Sequence, residues 1–216
     1  MMETKIISAI ESIDEKRAMK LVAAELEVGT DKKMISSQLN DALQRVARRY
    51  EAGEYYIADL IMAGEMVSNI LKMMGMDSTE LVTGKSPGKV VVGTVFDDIH
   101  DVGKNIFVSM LRAENFEVVD IGIDVPTEKF IAAVKKEKPD ILGISGILTS
   151  VVENIKEVID AINAEGLHQH LKIILGGAMA GTDYAKYVGA DGFSSDAIEG
   201  VTICKKWMEQ AMEEQR

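Results

Sequence analysis

The sequence predicts an α/β protein in two parts, an N-terminal four-helix bundle followed by a doubly wound, five-stranded parallel sheet. Three observations predict it. The run Lys89-Val90-Val91-Val92-Gly93-Thr94-Val95 is β-branched and almost wholly apolar, as a strand covered on both faces must be. From that run onward strand-like and helix-like segments alternate to the end of the chain, the pattern of a parallel sheet with helical crossovers. Ahead of Asp77 there is no proline and no convincing strand.

The 216 residues, 47% of them hydrophobic, suffice for two cores. The polar stretch 77–88 carries two glycines and a proline and reads as a linker. This places a helical cap domain over 1–84 and a sheet domain over 85–216. In the first part, helices are predicted over 4–12, 15–28, 32–51 and 56–74. Met19, Leu21, Val22 and Leu26 recur at helical spacing, as do Ile35, Leu39, Leu43 and Val46, which supports an antiparallel bundle. The fourth helix is more apolar than one bundle face requires, and its Met62 and Met66 are candidates for covering a flat apolar ligand. Ordinary bundle core is the competing reading for each.

In the second part, strands are expected over 89–95, 117–121, 140–145, 171–175 and 191–194, with helices over 102–114, 127–137, 150–166, 182–188 and 196–214. Pro126 and Thr127 open the second of these helices and Gly166 closes the third. Right-handed crossovers then favour a flavodoxin- or Rossmann-like strand order of 2-1-3-4-5, with a topological switch between strands one and three.

A net charge of −11 argues against nucleic acid and against anionic membrane surfaces. No apolar run of about 18 residues and no charged-then-apolar leader is visible, so a cytoplasmic location without a membrane partner is expected. Cys204, the one cysteine, fits a reducing compartment and sits in an apolar helical stripe, where a small buried residue is expected rather than a nucleophile.

The chemistry is concentrated in Asp97-Asp98-Ile99-His100-Asp101-Val102-Gly103, where the first sheet strand turns into a helix. A neutral imidazole is a donor for cobalt, iron or zinc, and a carboxylate two residues away can take its other N–H, fixing the tautomer and raising its basicity. Asp98 and His100 have that relationship. The competing reading is a helix-capping or solvated histidine. Two further loops leave the same sheet edge, Ser145-Gly146-Ile147-Leu148-Thr149 after strand three and Gly176-Gly177 after strand four. Ser145 is expected within hydrogen-bonding reach of the strand-one carboxylate, and the glycine pair would let a long group pass close to the backbone.

Taken together, these residues resemble the cobalamin-binding domain of methyltransferases and mutases, whose pattern is Asp-x-His-x-x-Gly, then Ser-x-Leu, then Gly-Gly. Here it runs Asp98-Ile99-His100-Asp101-Val102-Gly103, Ser145-Gly146-Ile147 and Gly176-Gly177, separated by 41 residues (104 to 144) and 28 residues (148 to 175). Ile147 stands in place of the leucine, and Asp97 in place of a glycine common before Asp98, adding a negative charge beside the histidine. The cap, linker and sheet domain together resemble the small corrinoid proteins of methyltransfer systems.

That resemblance implies a cobalamin or related corrinoid with His100 as the lower axial ligand of cobalt, Asp98 accepting its other N–H and Ser145 continuing the relay. It also implies a slot for the displaced base lined by Ser145, Thr149, Gly176 and Gly177. By the same resemblance the protein accepts a methyl group on cobalt(I) from a substrate-specific methyltransferase and passes it to a second one, with tetrahydrofolate or coenzyme M as acceptor. It is then incomplete as a catalyst alone, and a reductive activase is a further expected partner. The alternative is the cobalamin-binding subunit of a mutase, although such subunits normally match only the second part of the chain. A response-regulator receiver shares the strand order but needs an aspartate where Ser145 stands. A metal site at His168 and His170 is also conceivable, with solvated surface as the competing reading.

Overall fold

The computed structural model describes residues 5–76, 86–177 and 182–214. The 84/85 boundary and most of the linker 77–88 lie outside the described residues. Backbone contacts group Met1–Ser86 with Ser109–Glu117 in one unit and Pro87–Val108 with Val118–Arg216 in the other.

The first unit holds α1 (Lys5–Glu11), α2 (Glu15–Glu27), α3 (Lys32–Glu51) and α4 (Ile57–Met74), each close to its predicted span. Aspartates start two of them. Asp14 accepts from Arg17 N at the head of α2, and Asp31 accepts from Lys33 N at 2.9 Å at the head of α3, satisfying donors that a helix start leaves unpaired. Ile35, Leu39, Leu43 and Val46 are buried in the bundle core with Val22, while Met19, Leu21 and Leu26 pack partly buried against it. The broad apolar surface of α4 is divided. Leu60, Met66, Val67, Ile70 and Leu71 enter the core, and Ile57, Met62 and Met73 remain exposed.

The second unit contains β1 (Lys89–Thr94), α5 (Val102–Ala113), β2 (Glu117–Asp120), α6 (Thr127–Glu137), β3 (Ile141–Ser145), α7 (Val152–Ala164), β4 (Lys172–Gly176), α8 (Thr182–Val188), β5 (Gly192–Ser194) and α9 (Ala197–Glu214). From Ser109 onward α5 groups with the helical unit, where Ala113 joins the bundle core. The sheet is parallel with order β2-β1-β3-β4-β5, as the alternating pattern predicts. All five residues of β3 are buried, which explains why that segment has no polar alternation. Two 3-10 turns, Thr149–Val151 and Leu167–His170, flank α7 where one continuous helix over 150–166 is expected from the sequence. The second begins after Gly166, whose φ of 68° ends α7.

The ladder registers align the strand ends that matter for function. Thr94 pairs with Ser145, Ser145 with Gly176, and Gly176 with Ser194. The loops after β1, β3 and β4 therefore leave from one row at the carboxyl edge. The β3 and β4 loops also touch directly. A Cβ on Gly177, whose φ is +129°, would lie 2.0 Å from the Gly146 carbonyl oxygen. Only glycine permits that approach and that backbone conformation.

His170 is exposed, as expected of surface, while His168 is partly buried and paired. Its ring nitrogens lie 2.7 Å from Asn163 Oδ1 and 2.8 Å from Asp191 Oδ2, and Asp191 also accepts from Ile173 N. The carboxylate comes from the turn before β5, 23 positions away in sequence, so the local pattern around His168 gives no sign of it. Among the described residues no three His, Cys, Asp or Glu side chains converge to hold a metal. No helix among them is long and apolar enough to cross a membrane.

Cys204 is fully buried and burial pushes its thiol up to about 12, so native protein should not react with a thiol reagent at neutral pH, while urea-unfolded protein should react at once. Gly177→Ala should destabilise the fold by about 3 kcal/mol through backbone strain and the clash with Gly146. By contrast, among the described residues a Cβ at Gly176 meets nothing nearer than 4.0 Å, so Gly176→Ala should leave the urea midpoint nearly unchanged.

Candidate functional site

The loop from Val95 to Asp101 carries the site between β1 and α5. It is held from both sides. On the β3 side, Val95 N donates to the Ser145 carbonyl at 3.0 Å. On the β2 side, Asp97 N donates to Asp124 Oδ1 at 2.8 Å, and Asp124 N donates to the Asp98 carbonyl at 3.0 Å. Asp97 has a φ of 64° and Asp124 of 51°, the left-handed region that aspartate tolerates better than most residues with a Cβ. An aspartate can thus stand at position 97, where glycine would be the default.

Asp98 is the centre of the loop. Its side chain is fully buried, and a buried carboxylate is costly unless its oxygens are well bonded. Oδ1 accepts from His100 N at 2.9 Å and faces His100 Nδ1 at 2.6 Å, while Oδ2 accepts from Ile147 N at 2.7 Å. Burial alone would raise the Asp98 pKa. The bonds from Ile147, the His100 backbone and the His100 ring outweigh it and hold the carboxyl below its ordinary 3.8. An ionised carboxylate can only accept, so Nδ1 of His100 carries the hydrogen. The neutral ring then presents its lone pair on Nε2, which has no hydrogen bond among the described residues, on a side chain 48% exposed. The result is an imidazole anchored on one nitrogen and open on the other, the arrangement of a metal-ligating histidine.

Ser145 is buried and in register with Thr94 and Gly176, but among the described residues its hydroxyl makes no bond to Asp98. The donors that meet Asp98 among the described residues are the Ile147 amide on Oδ2 and the His100 amide and ring on Oδ1. Ile147 thus contributes its backbone, which explains why isoleucine serves where the related pattern has leucine. Thr149 opens the exposed 3-10 turn that follows. Asp101 begins α5, accepting from Asn105 N at 2.7 Å, and its carboxylate accepts from Asn105 Nδ2 at 3.2 Å. Met66 lies in the bundle core and Met62 on the bundle surface.

Sequence reasoning missed three contributors. Thr94 Oγ1 donates to the His100 carbonyl at 3.3 Å, Asn154 Nδ2 donates to the Phe96 carbonyl at 2.9 Å, and Asp124 braces the loop as described. Thr94 was accessible in principle from its place at the end of β1. The other two act across the fold and leave no local pattern.

The residues fit a flat, metal-bearing group with an attached tail. A single imidazole donor suits a metal whose other ligands arrive with it. Side chains on the same loops are apolar and unusually exposed, Ile99 at 70%, Val102 at 63%, Phe96 at 52% and Leu148 at 40%. Among the described residues a Cβ at Gly103 would meet nothing within 4 Å and one at Gly176 nothing nearer than 4.0 Å, so packing against those residues does not account for either glycine. Between the β3 loop and α8 lies a small cavity lined by Leu148, Val152, Ile155, Leu175, Tyr184 and Val188.

Comparison with known proteins agrees with this fit. Two family models, each described as a B12 binding domain, match residues 88–202 and 2–74. Dimethylamine corrinoid protein 2 of Methanosarcina acetivorans is 30% identical over 202 residues, 94% of each chain. A solved structure of a cobalamin-binding protein from Desulfitobacterium hafniense is 36% identical, covering 94% of this chain and 96% of that one with a TM-score of 0.59. The methanol:cobalamin methyltransferase complex of Methanosarcina barkeri contains a chain 28% identical, with coverage of 95% and 78% and a TM-score of 0.75. With a B12-binding model over most of its sheet unit and a corrinoid protein matching nearly its whole length, the chain belongs to the family of B12-binding corrinoid proteins.

Proposed function

We propose that this protein is a methyl carrier that holds a corrinoid with its lower base displaced and His100 Nε2 as the axial donor to cobalt. The observation that carries the reading is the Asp98–His100 pair, with Nδ1 committed to a buried carboxylate and Nε2 exposed and without a hydrogen bond among the described residues. When bound, the corrinoid supplies a cobalt centre able to take up and release a methyl group.

The chain's own residues do the rest. Asp98 fixes the tautomer and, through its charge, strengthens Nε2 as a donor. A proton on Nε2 would occupy the lone pair that a metal needs, so protonation of the ring and metal ligation would exclude one another. Ile99, Val102, Phe96 and Leu148 offer apolar surface to the macrocycle. Ser145, Thr149, Gly176 and Gly177 are the residues that would line a passage for the displaced base.

Relatives named for dimethylamine and a neighbour from a methanol:cobalamin methyltransferase complex support a partnership with a substrate-specific methyltransferase. Methylamines, quaternary amines, methanol and aryl methyl ethers are the candidate donors. A second methyltransferase, with tetrahydrofolate or coenzyme M as acceptor, and a reductive activase complete the proposed set of partners. The match of the helical residues 2–74 to a B12 binding domain model favours this carrier over a mutase subunit that has the sheet unit alone.

Reconstitution with cobalamin and reduction to cobalt(II) tests the reading by electron paramagnetic resonance. Nitrogen hyperfine splitting from a protein imidazole is expected in the wild type and should vanish in His100→Ala. Asp98→Asn should retain the corrinoid while lowering the histidine-bound to histidine-free ratio about 10- to 100-fold. A spectrum indifferent to His100 overturns the proposal.

Asp98 also makes a pH-dependent contribution in the protein without corrinoid. Its folded carboxyl titrates below 3.8, so its bonds stabilise the fold fully above that value and are lost as pH falls through the lower folded value. Asp98→Asn should therefore cost about 1.5–3 kcal/mol at pH 7, and the difference from wild type in urea denaturation should shrink once pH drops below 3.8.

A further inference from the structure

Lys104 has a nearly fully buried side chain in the first turn of α5, four residues after His100. A buried ammonium requires strong partners. Its Nζ pairs with Asp120 Oδ2 at the end of β2 and donates to Asn105 Oδ1 at 2.9 Å. The other Asp120 oxygen accepts from Gly122 N at 2.9 Å, the Gly122 carbonyl accepts from Thr94 N at 3.0 Å, and Thr94 Oγ1 donates to the His100 carbonyl. These contacts close a ring that begins and ends on the segment 100–104. A second strand of the same ring runs from Asn105 back to Asp101, which directly follows the histidine.

We propose that the Lys104–Asp120 ion pair is the positioning device that fixes the His100 loop for cobalt ligation. The inference rests on the corrinoid reading of His100 and extends it to residues that touch neither the histidine ring nor the exposed apolar surface. Asp98 sets the ring's tautomer and tilt from below. The ion pair sets the height and angle of the backbone that carries the ring, because it ties the start of α5 to the β2 loop. That same loop grips the other end of the His100 segment through Gly122 and Asp124. Without the ammonium, Asp120, whose side chain is 26% exposed, turns to water. The contact from the start of α5 to the end of β2 is then lost, and on the β2 side only the Gly122 and Asp124 contacts at the other end of the loop remain among those described. Displacements of about 1 Å suffice to weaken a ligating group whose partner has fixed geometry.

The test uses the full chain reconstituted with cobalamin, reduced to cobalt(II) and read by electron paramagnetic resonance, with circular dichroism and urea denaturation as controls for folding. Lys104→Met keeps the length and removes the charge, and Asp120→Asn keeps the acceptor for Gly122 while weakening the pair. The expected result is folded, corrinoid-loaded protein whose histidine-bound to histidine-free ratio falls about tenfold in either variant. The double variant should fall no further than the larger single effect, since the two residues act as a unit. An unchanged ratio in folded Lys104→Met overturns the inference. Should Lys104→Met fail to fold, an unchanged ratio in Asp120→Asn overturns it equally. A wild type that shows no imidazole splitting at all instead overturns the corrinoid reading of His100.

Discussion

A carboxylate buried at the end of the first sheet strand sets the terms for the rest of the site. Asp98 is out of contact with water, and an ionised group there is tolerable only if its lone pairs are met by donors in good geometry. Three donors meet it, two from His100 and one from the backbone of Ile147. The Ile147 amide belongs to a different strand-to-helix loop. Keeping Asp98 charged therefore requires the β1 and β3 loops to be locked together, and that lock depends on the aligned row Thr94, Ser145, Gly176 and Ser194. The start of the third loop is drawn in by backbone contact, since Gly177 lies against the carbonyl of Gly146. Sheet register, loop contact and histidine orientation are parts of one constraint.

The two nitrogens of His100 consequently live in different environments. Nδ1 faces a fixed negative charge on a buried carboxylate, where electrostatic interaction is strong, and Nε2 has no hydrogen bond among the described residues on a half-exposed side chain. This asymmetry separates two jobs. The protein controls basicity and tautomer through Nδ1 and leaves Nε2 to whatever ligand arrives. A histidine bonded on both sides, as His168 is to Asn163 and Asp191, has no such nitrogen to offer and serves to tie a turn to the sheet.

The fold was largely legible because its signals are local or periodic. Val90 to Val92 and Ile141 to Ile144 read as buried strands from residue type alone, and Ile35, Leu39, Leu43 and Val46 from spacing. Pro126 and Gly166 mark helix ends where backbone chemistry demands it. The Asp98–His100 pair was legible for the same reason, being two residues apart. What the sequence conceals is any contact made by backbone or across the fold. The Ile147 amide carries no residue code, so the serine three-motif pattern suggested Ser145 as the partner of Asp98. The Asp124 brace and the Asp191 carboxylate come from loops distant in sequence. The division of the α4 methionines was equally hidden, because both lie on an apolar helix and only packing decides that Met66 is core and Met62 is surface.

The departures from the related pattern are instructive for the same physical reason. Asp97 adopts a positive φ that glycine would adopt freely, so it carries a small conformational cost. In that conformation its amide points to Asp124 Oδ1, whose own amide returns to the Asp98 carbonyl. Asp124 is itself left-handed, so two strained residues secure each other across the entrance to the His100 loop. Strain of this kind persists only where surrounding contacts over-determine the backbone, and here it sits one residue from the buried carboxylate. A loop that had only to connect β1 to α5 would have no need of it. A loop that must hold an imidazole at one height above the sheet, while leaving that imidazole exposed, has to gain its rigidity from the backbone on either side, because the ring itself cannot be packed.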